Sequence, residues 1–333
     1  MIRINTPNGI PVDVPETDAE DVSPKFAPDQ LDAARDYYEA EGYVVFRGLV
    51  DTAACDRIRA LWEAEVKPFD GPMYRQATAK AERHVKNGQG WIMNPILNLQ
   101  SVDPTHFPGF RSFAVEKILT DHQLVTVARH FLGDAPKIVQ SMYFEGNSAT
   151  WEHQDSYYLD SEKVGSMMAA WIAVEDISAT AGRFFICPRS HRIDLGEQDI
   201  YTNIADNHDV YIGKVVDVIR QRAMEIRAPR LIKGDVLIWN AWTIHGSLAS
   251  HDAEAARSSI TCHMIAAHDR FLQLQTRHLD LPTDAVGGAQ VFRPKDQASA
   301  ANRAILWAES SFPGPFYWLK RQAVKAAIRA KGR

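Results

Sequence analysis

Between residues 137 and 268 the chain breaks into short apolar or alternating runs: "KIVQSMYFE", "WEHQDSYYL", "SMMAAWIAVED", "GRFFICP", "GDVLIWN" and "RSSITCHMIAAH", with Gly, Pro, Asn and Asp between them. Runs this short, bounded by turn residues, leave no room for long helices and read as the strands of an all-β sandwich or barrel. Helical signals flank the series. "PDQLDAARDYYEAEG" opens with an acidic turn and closes on Gly42, "DTAACDRIRALWEAEV" spaces Ile58, Leu61 and Trp62 at helical intervals, and "DHQLVTVARHFLG" stops at Gly133. "YVVFRGL", between the first two, reads as a strand.

The fold class predicted is therefore mainly β with flanking helices. Residues 1–27 carry four prolines and an acidic cluster and are expected to form an arm on the surface; 28–333 are read as one domain. Residues 67–112, rich in Gly, Pro, Asn and charge, receive no assignment. A polar insertion at 192–228 contains the helix-like "VVDVIRQRAMEI" and has the length of a lid or binding loop. The closing "FYWLKRQAVKAAIRAKGR" reads as a basic amphipathic helix docked on the outside.

Charge and composition narrow the partners. The 42 acidic and 37 basic residues are scattered along the chain and give a net charge of -5, so no surface is prepared for a phosphate backbone, and nucleic acid is excluded as the expected partner. No stretch reaches the ~18 apolar residues of a membrane span, and the N-terminus lacks the pattern of a secretory signal. The three cysteines, Cys55, Cys187 and Cys262, are odd in number and widely spaced, which fits a reducing compartment. The expectation is a cytoplasmic protein acting on a small molecule, of uncertain oligomeric state.

Chemistry concentrates in "WEHQDSYYL". His153 and Asp155 lie two apart, and along a strand such residues share a face, so an imidazole and a carboxylate can reach one point. Spacing alone decides nothing: 12 histidines should give roughly one His-x-Asp by accident, and His278-Leu279-Asp280 is a second. A metal needs a third ligand. His245, 92 residues after His153, follows the buried strand in "KGDVLIWNAWT" and is the best-placed candidate; no histidine follows His278. Two histidines and one carboxylate on one side of a metal leave positions open for a cosubstrate and oxygen, the arrangement of non-haem Fe(II) oxygenases. A dicarboxylate cosubstrate would need a cation, and Arg257, 12 residues after His245, opens the next strand with the planar fork that grips carboxylates. Ser247 and Ser259 are hydroxyls on the flanking segments that could share the same carboxylate.

These segments, in order, resemble the phytanoyl-CoA dioxygenase-like branch of the Fe(II)/2-oxoglutarate-dependent oxygenases. The likeness runs from about Tyr43 to Met264: "GYVVFRGLVD", "HQDSYYL", "AAWIAVEDISATAGRFFICPRSH" and "GDVLIWNAWTIHGS", followed by Arg257. It implies a double-stranded β-helix (jelly roll, cupin-like), with iron on His153, Asp155 and His245. It also implies 2-oxoglutarate held at its far carboxylate by Arg257 and Ser247. Trp171 matches a tryptophan of the cosubstrate pocket, to which Gln140 is also assigned, and Gln154 matches a glutamine beside the metal on the substrate side, which makes it a candidate substrate contact. The loop "FEGNSATWE" departs from the lysine and prolines common in the family, and Pro188-Arg189-Ser190-His191 stands where Pro-Gly-Ser-His is usual.

The implied reaction couples O2 and the decarboxylation of 2-oxoglutarate to succinate and CO2 with hydroxylation of an unactivated carbon. Asp155 favours hydroxylation over halogenation, since related halogenases lack this carboxylate. Tyr158 and Trp239, with Trp91, Tyr157 and Trp242, are candidates for an apolar substrate pocket, although strand aromatics also serve as core. Two other readings compete: a cupin-like Zn or Mn hydrolase or isomerase, which has no need of a dicarboxylate clamp, and a non-catalytic binding jelly roll with structural histidines.

Overall fold

The computed structural model describes residues 1–331 apart from 147, 194 and 196–203, and gives backbone alone for 204–206 and 323–331. A nine-stranded sheet forms its centre, in the order Thr283–Val286, Ala289–Phe292, Pro136–Phe144, Ser259–Ala266, Met168–Ala173, Val236–Asn240, Tyr43–Phe46, Lys25–Phe26, with Ile96–Leu97 paired beside Pro136–Phe144. Facing it is a three-stranded sheet of Phe184–Ile186, His245–Ser247 and Thr150–His153. The two sheets make the jelly roll. A further small sheet pairs Leu159–Ser161, Phe271–Gln273 and Arg277–Leu279, and it is here, exposed to solvent, that His278 lies.

Alternation along the central strands sorts side chains onto two faces. Ala170, Ile172, Ile238, Ile260, Cys262 and Met264 join one apolar cluster with Ile58, Trp62, Phe110 and Leu124 from the helices. Those helices end where the sequence says. Leu31–Glu41 closes on Gly42, which takes the left-handed φ of 82° that glycine adopts without strain. Asp51 and Asp121 cap Thr52–Leu61 and His122–Leu132 through side-chain oxygens that accept backbone N–H groups. Trp62 continues the second helix as a π-helical turn to Val66 and stacks on Tyr143 at 4.0 Å between ring centroids.

Residues 1–27 are not a loose arm. Ile2–Asn5 and Pro11–Val14 form a hairpin, and Ile4, Val12 and Val14 are buried against Phe185, Ala228 and Leu248. The reason was present in the sequence: hydrophobic residues alternate on both sides of Asn8-Gly9, a turn-forming pair. Thr6 and Asn8 in this turn donate to the carboxylate of buried Glu152, the neighbour of His153.

Within the insertion the structure shows the helix Ile204–Gln221, whose Tyr211 stacks on Tyr157 at 3.7 Å; residues 194 and 196–203 lie outside the described residues. At the C-terminus, Pro313–Lys331 is helical as expected, and the side chains described are those of 313–322. Tyr317 donates to Glu309 at 2.6 Å, whereas Trp318 and Leu319 are exposed. Among the described residues no helix is long and apolar enough to cross a membrane.

Candidate active site

The strand Thr150–His153 ends on His153, and the chain then turns into a short 3-10 helix that begins at Asp155. The pair therefore does not sit in one regular strand, as expected from the spacing, but Gln154 between them is extended and keeps both side chains on one side. The same alternation sends Gln154 the other way. Its side-chain amide donates to the carbonyls of Trp242 at 2.6 Å and Ile193 at 3.4 Å, and it is not on the cavity wall, contrary to the expectation of a residue beside the substrate.

His245 opens the neighbouring strand directly opposite His153. One ligand atom from each of His153, Asp155 and His245 lies within 4.8 Å of the others. The backbone sets the tautomers. Nδ1 of His153 is 2.8 Å from the carbonyl of Trp151, and Nδ1 of His245 is 2.9 Å from that of Thr243. A carbonyl only accepts, so each Nδ1 carries the hydrogen and each Nε2 turns a lone pair inward. Oδ1 of Asp155 stands 3.6 and 3.5 Å from those two Nε2 atoms, and Oδ2 accepts from Trp239 Nε1 at 2.8 Å.

These groups line a cavity of about 640 Å³. Arg257 reaches the same cavity from the strand start and is 2 % exposed. Its guanidinium donates to the Gly182 carbonyl at 3.0 Å and lies over the rings of Phe144 and Trp171, at 5.2 and 5.8 Å from their centroids. Among the described residues no carboxylate pairs with it, and its Nε has no hydrogen-bond partner. Burial pushes it down to about 9. A buried cation with no counter-charge is costly, and an anionic ligand removes that cost.

Trp171, Ser247, Gln140 and Tyr158 all line the cavity, as does Trp239, although its indole N–H is engaged by Asp155. Ser259 does not. Its hydroxyl donates to the Arg257 carbonyl at 3.2 Å. Thr261, His263 and His208 are among the polar lining residues that the sequence analysis did not single out. The first two follow Arg257 at even spacing, so strand alternation could have found them. His208 comes from the insertion helix, where it meets the Tyr158 hydroxyl at 2.8 Å, and no local pattern marks it.

Residues 38–258 match the phytanoyl-CoA dioxygenase (PhyH) family. The chain belongs to this family of iron- and 2-oxoglutarate-dependent oxygenases. Peroxisomal phytanoyl-CoA dioxygenase of Bos taurus is 22% identical over 247 residues, which cover 72% of this chain and 70% of the relative. Among solved structures, EctD from S. alaskensis, with 2-oxoglutarate and 5-hydroxyectoine, aligns with a TM-score of 0.53 at 15% identity over 87% of this chain and 98% of its own. The α-ketoglutarate-dependent epimerase SnoN from nogalamycin biosynthesis aligns at 0.53 and 17% identity, over 80% and 99%. At such identities the two structures speak for the family fold alone, and the jelly roll is common to them and this chain.

Proposed function

We propose that this oxygenase hydroxylates an unactivated carbon of a small, uncharged molecule, with His153, Asp155 and His245 as the iron ligands and Arg257 as the anchor of 2-oxoglutarate. The donor set fits ferrous iron: two imidazole nitrogens with free lone pairs and one carboxylate oxygen converge from one side. Iron with 2-oxoglutarate and O2 supplies the oxidation of a C–H bond to an alcohol, with succinate and CO2 as co-products. The chain's part is to bind, orient and exclude water. The Arg257 fork receives the far carboxylate, the Ser247 hydroxyl lies on the same wall, and Trp171, Phe144 and Phe184 keep that end dry. The observation that carries this reading is Arg257 itself, buried without an acid among the described residues and lining the cavity of the triad. A Zn or Mn hydrolase has no use for it.

The cavity wall supports an uncharged substrate. Among the described residues that line it, Asp155 and Arg257 are the side chains of fixed charge, and no lysine is present to meet the phosphates of an acyl-CoA. Gln76, Ala77 and Pro95 from the unassigned 67–112 region, and His208 from the insertion, lie on the same wall and are the proposed substrate contacts, with Tyr158.

The test is succinate formation by the purified protein with Fe(II), ascorbate and 2-oxoglutarate, without substrate. Turnover is expected, and Asp155→Ala or His245→Ala should abolish it; undiminished succinate in either variant removes the triad assignment. Incubation with extract from the source cells should then yield a product heavier by one oxygen. A product of unchanged mass would replace hydroxylation with epimerisation.

A further inference from the structure

The two oxygens of Asp155 are treated differently. Oδ1 faces the Nε2 atoms of His153 and His245, whereas Oδ2 is turned to the nine-stranded sheet. There Trp239 Nε1 donates to it at 2.8 Å, and His263 Nε2 stands 3.3 Å away. Trp239 and His263 belong to the strands on either side of Met168–Ala173, so they approach one oxygen from two separate supports.

His263 is otherwise unexplained. It is 2 % exposed, and neither ring nitrogen has a hydrogen-bond partner among the described residues. A polar ring buried in that state is destabilising, and a leucine would fill a core position without that cost. A carboxylate oxygen only accepts, so the nitrogen that faces it must carry its hydrogen. At 3.3 Å the contact has hydrogen-bond distance without hydrogen-bond alignment.

We infer that His263 is a positioning residue for the metal-binding carboxylate: with Trp239 it holds Oδ2 against the sheet, so that Oδ1 alone is offered to the metal. This rests on the proposed triad. One donor would leave the carboxylate free to swing about that bond, and two donors from different strands fix its plane. A carboxylate that bound through both oxygens would fill a position that 2-oxoglutarate or O2 requires. Partners of this kind behind a metal ligand typically contribute 10–100-fold to metal affinity.

The probe is Co(II), titrated into the full chain and followed by its visible absorption, for the wild type, His263→Gln and His263→Leu, with melting curves taken without metal. His263→Leu should bind Co(II) about 10–100-fold more weakly, with an altered band shape, while melting no lower than the wild type. His263→Gln carries an amide N–H to the same place and should keep the wild-type band and most of the affinity. Wild-type affinity and band in His263→Leu overturn the inference. So does an equal loss in His263→Gln, or a fall in melting temperature that accompanies the loss of affinity. A wild-type chain that takes up no Co(II) overturns the triad assignment first, and this inference with it.

Discussion

The strand Ser259–Ala266 gives Ile260, Cys262 and Met264 to the helices on one side of the sheet, and Thr261 and His263 to the cavity on the other. Its neighbours do the same: Ile238 and Ile172 face the helices, Trp239 and Trp171 the cavity. The helical side is a continuous apolar cluster, and the polar atoms left unpaired within it, Trp62 Nε1 and the Tyr143 hydroxyl, are neutral. On the cavity side a guanidinium and an imidazole are buried with nitrogens left unpaired, an arrangement that lowers stability and makes sense once a ligand is bound. One face is organised for folding, and the other holds a buried cation that folding alone leaves uncompensated among the described residues.

The sharpest way to break this contrast is Asp155→Ala. Succinate formation should fall by at least ~100-fold, beyond what loss of a metal ligand's partner costs, with the melting temperature nearly unchanged. A large loss of stability would show that the triad is structural. Ile260→Ala tests the other face: about 2–5 kcal/mol of unfolding free energy should be lost in urea titration. The affinity of the folded fraction for 2-oxoglutarate should not change.

Arg257→Met joins the two faces in one experiment. The affinity for 2-oxoglutarate should fall by roughly 10–100-fold, as charged hydrogen bonds of about 1.5–3 kcal/mol are lost. In calorimetry without ligand, however, the variant should melt higher than the wild type, because an uncompensated buried charge has gone. Reduced stability together with intact cosubstrate affinity would reverse the assignment of this face. His208→Ala is expected to lower substrate oxidation about tenfold, the effect of one lost hydrogen-bonding contact of about 1.4 kcal/mol, while sparing uncoupled 2-oxoglutarate decay. Equal loss of both activities counts against a substrate contact.

The smallest effect is a pH dependence at the edge of the cavity side. Burial pushes the Asp160 carboxyl up to about 6, even though it accepts from Ser156 and from the backbone of Ser161, Gly165 and Met167. The folded state then holds a proton that the unfolded state has released, so Asp160's contribution is fully present below the unfolded value and is lost as pH rises through about 6. Asp160→Asn should flatten the slope of stability against pH between the unfolded carboxylate value and 6, as read from urea midpoints. An unchanged slope would show that Asp160 titrates alike in both states.

Much of the fold was legible because period, caps and turn residues act locally. Gly42, Gly133 and Asp121 end or begin helices by their own conformational preferences, and the six central runs became strands of the jelly roll. The triad was legible too, since His153 and Asp155 flank a single residue and His245 follows a strongly marked strand. The N-terminal hairpin was missed because its prolines and acids masked a short alternation around Asn8-Gly9. Gln154 and Ser259 had the right residue type in the right segment, but their hydrogen bonds lead elsewhere, to the Trp242 and Arg257 carbonyls.

Residue order determined by itself which segments are strands, which face of each is apolar, and which side chains are chemically able to hold a metal and a diacid. Only the tertiary structure decided that Arg257 has no acid beside it among the described residues, that His263 stands behind Asp155, and that a helix from the insertion brings His208 to the same wall. The physical reason is range. Backbone preference and periodicity operate over a few neighbours, whereas the state of a buried charge or imidazole depends on everything packed around it, contributed by strands and helices far apart in the chain.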